Sequence, residues 1–353
     1  MRGLVFEGHR KIGLLDFPDP KPGPGEVVLE MKASGFCGSD LKFYRGSPAE
    51  TMKALGVPGD ASNYTPVIAG HEPCGVVREL GEGVSRKKFR PGDRVVVFHY
   101  SGCNSCNHCR SGWNQLCAEG ATIYGANANG GHARYLVVPA RTLVHLPEEI
   151  SFAGGAAIAC GTGTAFGALL RLNAMGGSTL AVFGLGPVGL SAVQFANAMG
   201  MEVIAVDIAQ SRVDWVKEFG ATHVINASKQ DAVEEIFKIT KGRGVKYSID
   251  CSGAPAARRD AVRATSVWGT CVLVGVGGDM TIDVMKELIT KQRTIIGSWT
   301  FSDVGMEECA RFVANHGIDV DKQFTHRWSL DDGVKAYEEF DKQTSGKAVF
   351  IFN

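Results

Sequence analysis

The sequence carries no net charge and contains no long uninterrupted apolar run. Its 37 lysine and arginine residues balance 37 aspartate and glutamate residues. Such a chain has no overall field to attract nucleic acid or an anionic membrane, so neither partner is expected. No stretch approaches the roughly 20 apolar residues that span a bilayer, and Met1–Phe6 lacks the features of a signal peptide. The cytoplasm is therefore the expected compartment.

Glycine and cysteine, by contrast, are abundant. The 353 residues include 45 glycines and 10 cysteines, with 44% hydrophobic and 21% charged residues. That balance is typical of a soluble enzyme, and the length suggests about two domains of roughly 150 residues each. In a reducing compartment, many cysteines indicate metal binding or catalysis before disulfides.

Hydrophobic patterning divides the chain into two regions with different predicted secondary structure. Residues 1–150 contain short apolar strands between Pro-Gly turns, which predicts a β-rich, barrel-like domain. Residues 151–298 alternate apolar strands with helices, which predicts a doubly wound parallel sheet and an α/β fold class. Residues 299–353 are expected to complete the first domain. The strands predicted for the α/β region are Thr179–Phe183, Glu202–Asp207, His223–Asn226, Lys246–Asp250, Thr270–Gly275 and Thr294–Ser298. The helices predicted between them are Pro187–Met199, Ser211–Phe219, Asp231–Thr240, Pro255–Thr265 and Val284–Thr290.

A glycine motif stands between the first strand and the first helix of this α/β region. It reads Gly184-Leu185-Gly186-Pro187-Val188-Gly189. The first glycine allows a tight turn, the second lets the main chain approach a pyrophosphate, and the third lets the helix pack on the strand. Pro187 suits the first helical turn, and the helix N-terminus favours phosphate charge. The motif predicts a dinucleotide site, the alternative being a glycine turn without a nucleotide.

An acidic residue at the end of the next strand indicates which dinucleotide is bound. Asp207 can accept hydrogen bonds from a ribose diol and would repel a 2′-phosphate, so NAD is expected rather than NADP. Arg212 could cover the adenine face or could be a solvated helix charge, and the sequence favours neither. The backbone of Val274-Gly275-Val276 could bind the nicotinamide carboxamide.

Four cysteines are crowded into one short segment. Cys103, Cys106, Cys109 and Cys117 can surround a tetrahedral zinc ion with no open position, which is the pattern of a structural site. The lobe around them has few apolar residues, so metal binding would order it. An iron–sulfur cluster or plain thiols are the alternatives.

Three dispersed residues form a second metal-ligand set. Cys37, His71 and Cys160 are individually unremarkable, because a lone cysteine is more often a small buried hydrophobe. Together, two thiolates and one imidazole leave a fourth zinc position free for an alcohol oxygen, as in a catalytic site. Asp40 or Glu72 could accept a hydrogen bond that orients His71.

In the order and spacing of these motifs the chain resembles the zinc-dependent medium-chain alcohol dehydrogenases over essentially its whole length. The resemblance implies a GroES-like catalytic domain interrupted by a Rossmann domain, with two zinc ions per chain and NAD. It implies catalytic zinc on Cys37, His71 and Cys160, proton transfer through Ser39, and Thr164 pressing the nicotinamide toward the metal. A homodimer or homotetramer that acts on a small-molecule alcohol is expected.

The sequence departs from common patterns of this family at two positions. Many members have a histidine three residues after the relay hydroxyl, where this chain has Lys42. Lys42 could be a proton relay, a ribose contact or a solvated charge. Many polyol dehydrogenases that match around Cys37 carry glutamate at the position of Cys160, whereas this chain keeps cysteine.

The substrate is the least determined feature. The segment Gly46–Pro66 is expected to be a long loop without regular structure beside the zinc site. Phe43, Tyr44, Arg45 and His99 could supply a mixed apolar and polar wall, or could simply pack the barrel. Trp299 is either a pocket wall or part of an interface.

The function favoured by the sequence is hydride transfer between NAD and a secondary alcohol or polyol, with a ketone as product. A threonine or formaldehyde dehydrogenase is the alternative within the same class of enzyme. A nucleotide-binding relative without catalysis is the alternative outside it, but such relatives commonly lack the zinc ligands present here.

Overall fold

The computed structural model describes residues 1–54, 65–343 and 346–353. These residues form two compact units, Met1–Cys160 with Ser302–Asn353, and Gly161–Phe301. The first unit thus continues to Cys160, past residue 150 where the sequence suggested a boundary.

The described part of the first unit is dominated by one sheet. The strands of this unit are β1 (Arg2–Gly8), β2 (Lys11–Asp16), β3 (Glu26–Gly35), β4 (Glu72–Leu80), β5 (Arg94–Val97), β6 (Tyr100–Ser101), β7 (Thr122–Ile123), β8 (Tyr135–Pro139), β9 (Leu143–His145), β16 (Phe324–Trp328) and β17 (Lys347–Ile351). Its helices are α1 (Asp40–Arg45), α2 (Pro48–Ala54), α3 (Asn107–Arg110), α4 (Phe152–Ala157), α10 (Asp303–Asn315) and α11 (Gly333–Asp341). The main sheet has the order β16-β17-β3-β4-β5-β9, and β8 also pairs with β3.

Strand β3 is the centre of this sheet and positions the site described below. Alternate residues Val27, Leu29 and Met31 are buried in an apolar core, as expected for a strand with one buried face. Antiparallel pairing with β4 sets Gly35 opposite Glu72. The register therefore brings the end of β3 and the start of β4 together, although the two lie far apart in sequence.

The second unit, all of which is described, is a six-stranded parallel sheet with helices. It contains β10 (Thr179–Phe183), β11 (Glu202–Asp207), β12 (His223–Asn226), β13 (Val245–Asp250), β14 (Thr265–Leu273) and β15 (Thr294–Gly297), with α5 (Gly163–Arg171), α6 (Pro187–Ala198), α7 (Gln210–Trp215), α8 (Ala232–Ile239) and α9 (Pro255–Ala264). The strand order is β12-β11-β10-β13-β14-β15. The order reverses between β10 and β13, the switch point at whose carboxyl end such sheets bind nucleotides.

The structure corrects three details of the predicted elements. The segment Gly46–Pro66 is not wholly irregular, because α2 occupies Pro48–Ala54, while residues 55–64 lie outside the described residues. The helix expected at Val284–Thr290 is a π-helical turn followed by a 3₁₀ turn. Strand β14 begins at Thr265, earlier than its apolar run at Thr270, because it continues through an irregular stretch beside β13.

Among the described residues, one helical stretch is long and apolar enough to cross a membrane by length and composition, namely Phe152–Arg171. This corrects the expectation that no such stretch exists: the segment is rich in alanine and glycine and has no charged residue before Arg171. The apolar window of this stretch is 83% buried inside the structure, as in the core helix of a soluble protein.

Candidate active site

The first two ligand candidates are held by a single carboxylate. Cys37 follows β3 and His71 precedes β4, so the strand register places them side by side. The Cys37 amide donates to Asp40 Oδ2 at 2.8 Å, and Asp40 Oδ1 lies 2.9 Å from His71 Nδ1. Asp40 is buried. Since its carboxylate accepts the Nδ1 proton, the His71 lone pair is left on Nε2, where a metal would bind.

Cys160 completes this set from a different element. It lies in a π-helical segment, Ile158–Thr162, between α4 and α5. Such segments are frequent at functional sites because the extra residue changes the direction of a side chain. The Cys160 and Cys37 sulfur atoms are 3.8 Å apart. Hydrogen bonding from Cys160, together with His71, holds the pKa of the Cys37 thiol well below its ordinary value, which favours the thiolate that zinc requires.

Glu72 is a fourth member of this cluster. One ligand atom from each of Cys37, His71, Glu72 and Cys160 lies within 4.8 Å of the others. Glu72 Oε2 is 2.5 Å from the ammonium of Lys347, and both side chains are almost fully buried. Burial raises the pKa of Glu72 to about 8 even beside this cation. Glu72 Oε1 has no hydrogen-bond partner among the described residues, so the cluster fits a bound cation.

The two alternatives for orienting His71 are thus distinguished by geometry. Asp40 contacts the imidazole directly, whereas Glu72 pairs with Lys347 on β17. The Lys347 ammonium also donates to the Phe36 carbonyl at 2.8 Å. Sequence reasoning missed Lys347, and the one available signal was a lysine directly before the apolar run of the last strand.

The remaining proposed proton-transfer residues stand at the start of α1. Ser39 Oγ lies 3.3 Å from His71 Nε2, on the side where a metal would bind. Lys42 is half-buried on α1. Within the described ranges its ammonium makes no hydrogen bond or ion pair, so the geometry selects none of its three possible roles.

The four-cysteine lobe also forms one cluster. Ligand atoms of Cys103, Cys106, Cys109 and Cys117 lie within 4.8 Å of one another. The Cys103 amide donates to Cys117 Sγ at 3.3 Å, and the Cys106 amide donates to Cys103 Sγ at 3.3 Å. Donors from Ser105 and Cys106 lower the pKa of Cys103 to about 6. Four thiols with amide donors fit a closed zinc site.

The glycine motif has the shape that a dinucleotide needs. Gly184 has a φ of +91°, and a Cβ at Gly189 would lie 1.9 Å from the Gly184 carbonyl oxygen, so neither position accepts a side chain readily. A Cβ at Gly186 would meet nothing within 4 Å. Pro187 opens α6 and Val188 follows it. The space above Gly186 at this helix N-terminus therefore suits a pyrophosphate.

Asp207 lies at the end of β11, next to this motif. Its carboxylate accepts from the Leu185 amide at 2.7 Å and the Ala209 amide at 2.9 Å. Arg212 Nη1 is 3.8 Å from Asp207 Oδ2, so this guanidinium lies beside the carboxylate rather than out in solvent. The structure brings the glycine motif, Asp207 and Arg212 together at the carboxyl ends of β10 and β11.

The residues predicted to contact the nicotinamide or the substrate differ in their exposure and contacts. Thr164 is buried in α5, and Val276 is 58% exposed after β14. Phe43 and Tyr44 pack in an apolar cluster of the first unit, and Arg45 pairs with Asp341. His99 packs edge-on against His71, with ring centres 5.0 Å apart. Trp299 is 48% exposed.

Comparison with known proteins shows which family the chain belongs to. A family model for the GroES-like domain of alcohol dehydrogenases matches residues 23–148, and a zinc-binding dehydrogenase model matches residues 187–315. An uncharacterized zinc-type alcohol dehydrogenase-like protein of Escherichia coli K12 is 36% identical over 100% of this chain and 99% of its own length. A Bacillus subtilis sorbitol dehydrogenase is 30% identical over 96% and 93%.

A solved structure extends the similarity to a cofactor complex. An alcohol dehydrogenase (rspB) from Escherichia coli CFT073, complexed with NADH, has a TM-score of 0.87 at 26% identity and covers 100% of this chain and 99% of that one. The chain belongs to the family of zinc-binding alcohol dehydrogenases with a GroES-like domain. Both the predicted family and the predicted fold class are confirmed.

Proposed function

We propose that this chain is a zinc-containing, NAD-dependent dehydrogenase that oxidises secondary alcohols or polyols and reduces the corresponding ketones. The observation that carries the proposal is the convergence of Cys37, His71 and Cys160, with their ligand atoms within 4.8 Å of one another. Three ligands leave the fourth position of a tetrahedral zinc ion for a substrate oxygen, because Glu72 is paired with Lys347. The four-cysteine lobe would hold a second, structural zinc ion.

Zinc, when bound, would supply the Lewis acidity that lowers the pKa of a substrate hydroxyl. Ser39 Oγ, 3.3 Å from His71 Nε2, would take the hydroxyl proton. Asp40 would keep the His71 lone pair on Nε2 and fix the Cys37 backbone through its two oxygens. Glu72, paired with Lys347, would contribute a carboxylate beside the three ligands. Lys42 is the candidate for passing the proton onward from Ser39.

NAD, when bound, would supply the hydride acceptor. The main chain at Gly186 and the N-terminus of α6 would hold the pyrophosphate, and Asp207 would accept from the adenosine ribose. The buried Asp207 carboxylate disfavours a 2′-phosphate, which supports NAD over NADP. Arg212, beside Asp207, would cover the adenine, the Val276 backbone would bind the carboxamide, and Thr164 would contact the nicotinamide ring.

A secondary alcohol or polyol is the proposed substrate class. The similarity to a sorbitol dehydrogenase over most of both chains supports it. L-threonine, whose hydroxyl is also secondary, is the second candidate, because an L-threonine 3-dehydrogenase of Pyrococcus horikoshii is 32% identical over 96% of this chain.

The proposed form is a cytoplasmic homo-oligomer. Strand β15 is the last strand of the parallel sheet, and an edge strand can pair with a second copy. The segment preceding it exposes Val284 by 54%, Met285 by 60% and Ile289 by 55%, an apolar surface that an interface would cover. Thiols that serve as metal ligands suit a reducing compartment.

The test combines metal analysis with a substrate panel. Purified protein should contain about two zinc ions per chain. NAD reduction is then measured with polyols, cyclic and secondary alcohols, primary alcohols, L-threonine and a formaldehyde–thiol adduct. We expect turnover to be highest with a polyol or secondary alcohol and to be lost in Cys37→Ser, which should still fold. Cys106→Ser is the matched control and should chiefly lose one zinc ion and stability. Active protein with no zinc would refute the proposal.

A further inference from the structure

The loop after β14 is exposed and rich in glycine, so its own sequence does not fix one conformation. Residues 276–279 are exposed, and Gly277 and Gly278 both have positive φ, at +142° and +39°. Glycines at such angles retain many alternative conformations, so ordering this loop costs entropy. Some other contact must fix it if its backbone is to bind a ligand with a defined geometry.

Arg258 on α9 supplies that contact. Its two terminal nitrogens donate to the carbonyl oxygens of Gly275 and Gly278, one at each end of the exposed loop. Its Nε donates to Asp250 Oδ2 at 3.2 Å. The guanidinium is only 12% exposed. The planar fork of an arginine places donors on three nitrogens and so spans three separated acceptors, whereas a lysine has all its donors on one nitrogen.

Asp250 anchors this arginine to the end of β13. Its side chain is fully buried and also accepts from the Ser252 amide at 3.0 Å and the Ser252 hydroxyl at 2.7 Å. Its main-chain carbonyl accepts from the Val274 and Gly275 amides, both at 2.9 Å. Asp250 therefore links the end of β13 to the end of β14 through its backbone and links both to Arg258 through its side chain.

The loop also lies tightly against the turn after β13. A Cβ at Gly275 would lie 2.1 Å from the Gly253 nitrogen, so the two backbones are in direct contact. The Gly275 carbonyl is already used by Arg258. The polar groups of Val276, the residue proposed to contact the carboxamide, thus project from a backbone fixed on both sides.

We propose that Arg258 is a positioning residue for the nicotinamide half of the cofactor. It holds the loop around Val276 in the conformation that binds the carboxamide, and it does not touch the adenosine half, which would be bound at the glycine motif and Asp207. The inference rests on the proposed function, because it assumes that a nicotinamide dinucleotide is the ligand.

The test compares two ligands that share an adenosine diphosphate ribose part but differ in the nicotinamide. Binding of NAD and of ADP-ribose is measured by calorimetry on wild type, Arg258→Lys and Arg258→Ala. Lysine retains a positive charge for Asp250 but loses the fork to the two carbonyls, so it should fold even if alanine does not. Arg259→Lys, which changes the neighbouring and more exposed arginine, is the matched control.

We expect Arg258→Lys to raise the dissociation constant for NAD about tenfold while the value for ADP-ribose stays within about twofold. Hydrogen exchange of the Val274 and Gly275 amides, which are bonded to the Asp250 carbonyl, should become faster without ligand. Equal weakening of both ligands, or no change in either, would overturn the inference. Wild-type protein that binds neither ligand would instead refute the proposed cofactor, and the inference with it.

Discussion

Stability in mild acid should depend in part on the buried histidine His132. Its ring is completely buried, with Nδ1 2.8 Å from Ser34 Oγ and Nε2 2.8 Å from the Tyr337 hydroxyl. Burial lowers the pKa of His132 from 6.5 to about 4. The folded protein therefore keeps this imidazole neutral in a pH range where the unfolded chain protonates it.

The sign and the size of the effect follow from proton linkage. A histidine whose folded pKa is lowered contributes no penalty above pH 6.5, and stability is lost as the pH falls from 6.5 toward 4. Between pH 7.5 and pH 5, the difference in proton binding amounts to about 2 kcal/mol of unfolding free energy for this residue.

The assay is denaturant unfolding of wild type and His132→Gln between pH 7.5 and pH 5. Glutamine can bond to Ser34 and Tyr337 but does not titrate, so the variant should lose about 2 kcal/mol less than wild type over this range. Protonation of the zinc ligands affects both proteins and cancels in the comparison. His145→Gln, at an exposed position, is the control. Parallel pH profiles for wild type and His132→Gln would refute the reasoning.

Two further predictions concern the cofactor and the proton path. Asp207→Ser keeps an acceptor near the Leu185 amide but removes the negative charge beside Arg212. The ratio of kcat/KM with NADP to kcat/KM with NAD should therefore rise at least about tenfold. An unchanged ratio, or a wild type that prefers NADP, would contradict this prediction. If Lys42 passes protons, Lys42→Ala should slow alcohol oxidation and small amine buffers should partly restore it, while Lys42→His should move the acidic limb of the pH–rate profile toward about 6.5. An unchanged profile together with no rescue by buffer would remove Lys42 from the mechanism and leave Ser39 passing its proton to water or to a cofactor hydroxyl.

The sequence predicted the first strands of the parallel sheet well because β10 and β11 are nearly continuous apolar runs. Strands buried on both faces need no alternation, and β10, β11 and β12 have the predicted bounds. Prediction was poorer at Val284–Thr290, where π and 3₁₀ turns replace a regular helix. Apolar spacing does not distinguish these turns from an α-helix over so short a segment.

The metal-ligand candidates could be recognised from the types of residue and their spacing, but their supporting contacts could not. Lys347 meets Glu72 only because β17 and β4 both pair with β3. Likewise, His132 reaches Tyr337 across 205 positions of the chain. No local pattern encodes such pairs, since they depend on strand register and on which faces pack together.

Asp40 shows why the first two ligand positions depend on the fold and not on the metal. One oxygen of its carboxylate holds the Cys37 amide and the other holds His71 Nδ1, so both residues share a single buried anchor. The β3–β4 register sets the distance that this anchor spans. A metal that binds here meets two ligands already oriented by hydrogen bonds, and only Cys160 is contributed by a separate element. Preorganisation of this kind reduces the conformational entropy lost when the ligands converge on a cation.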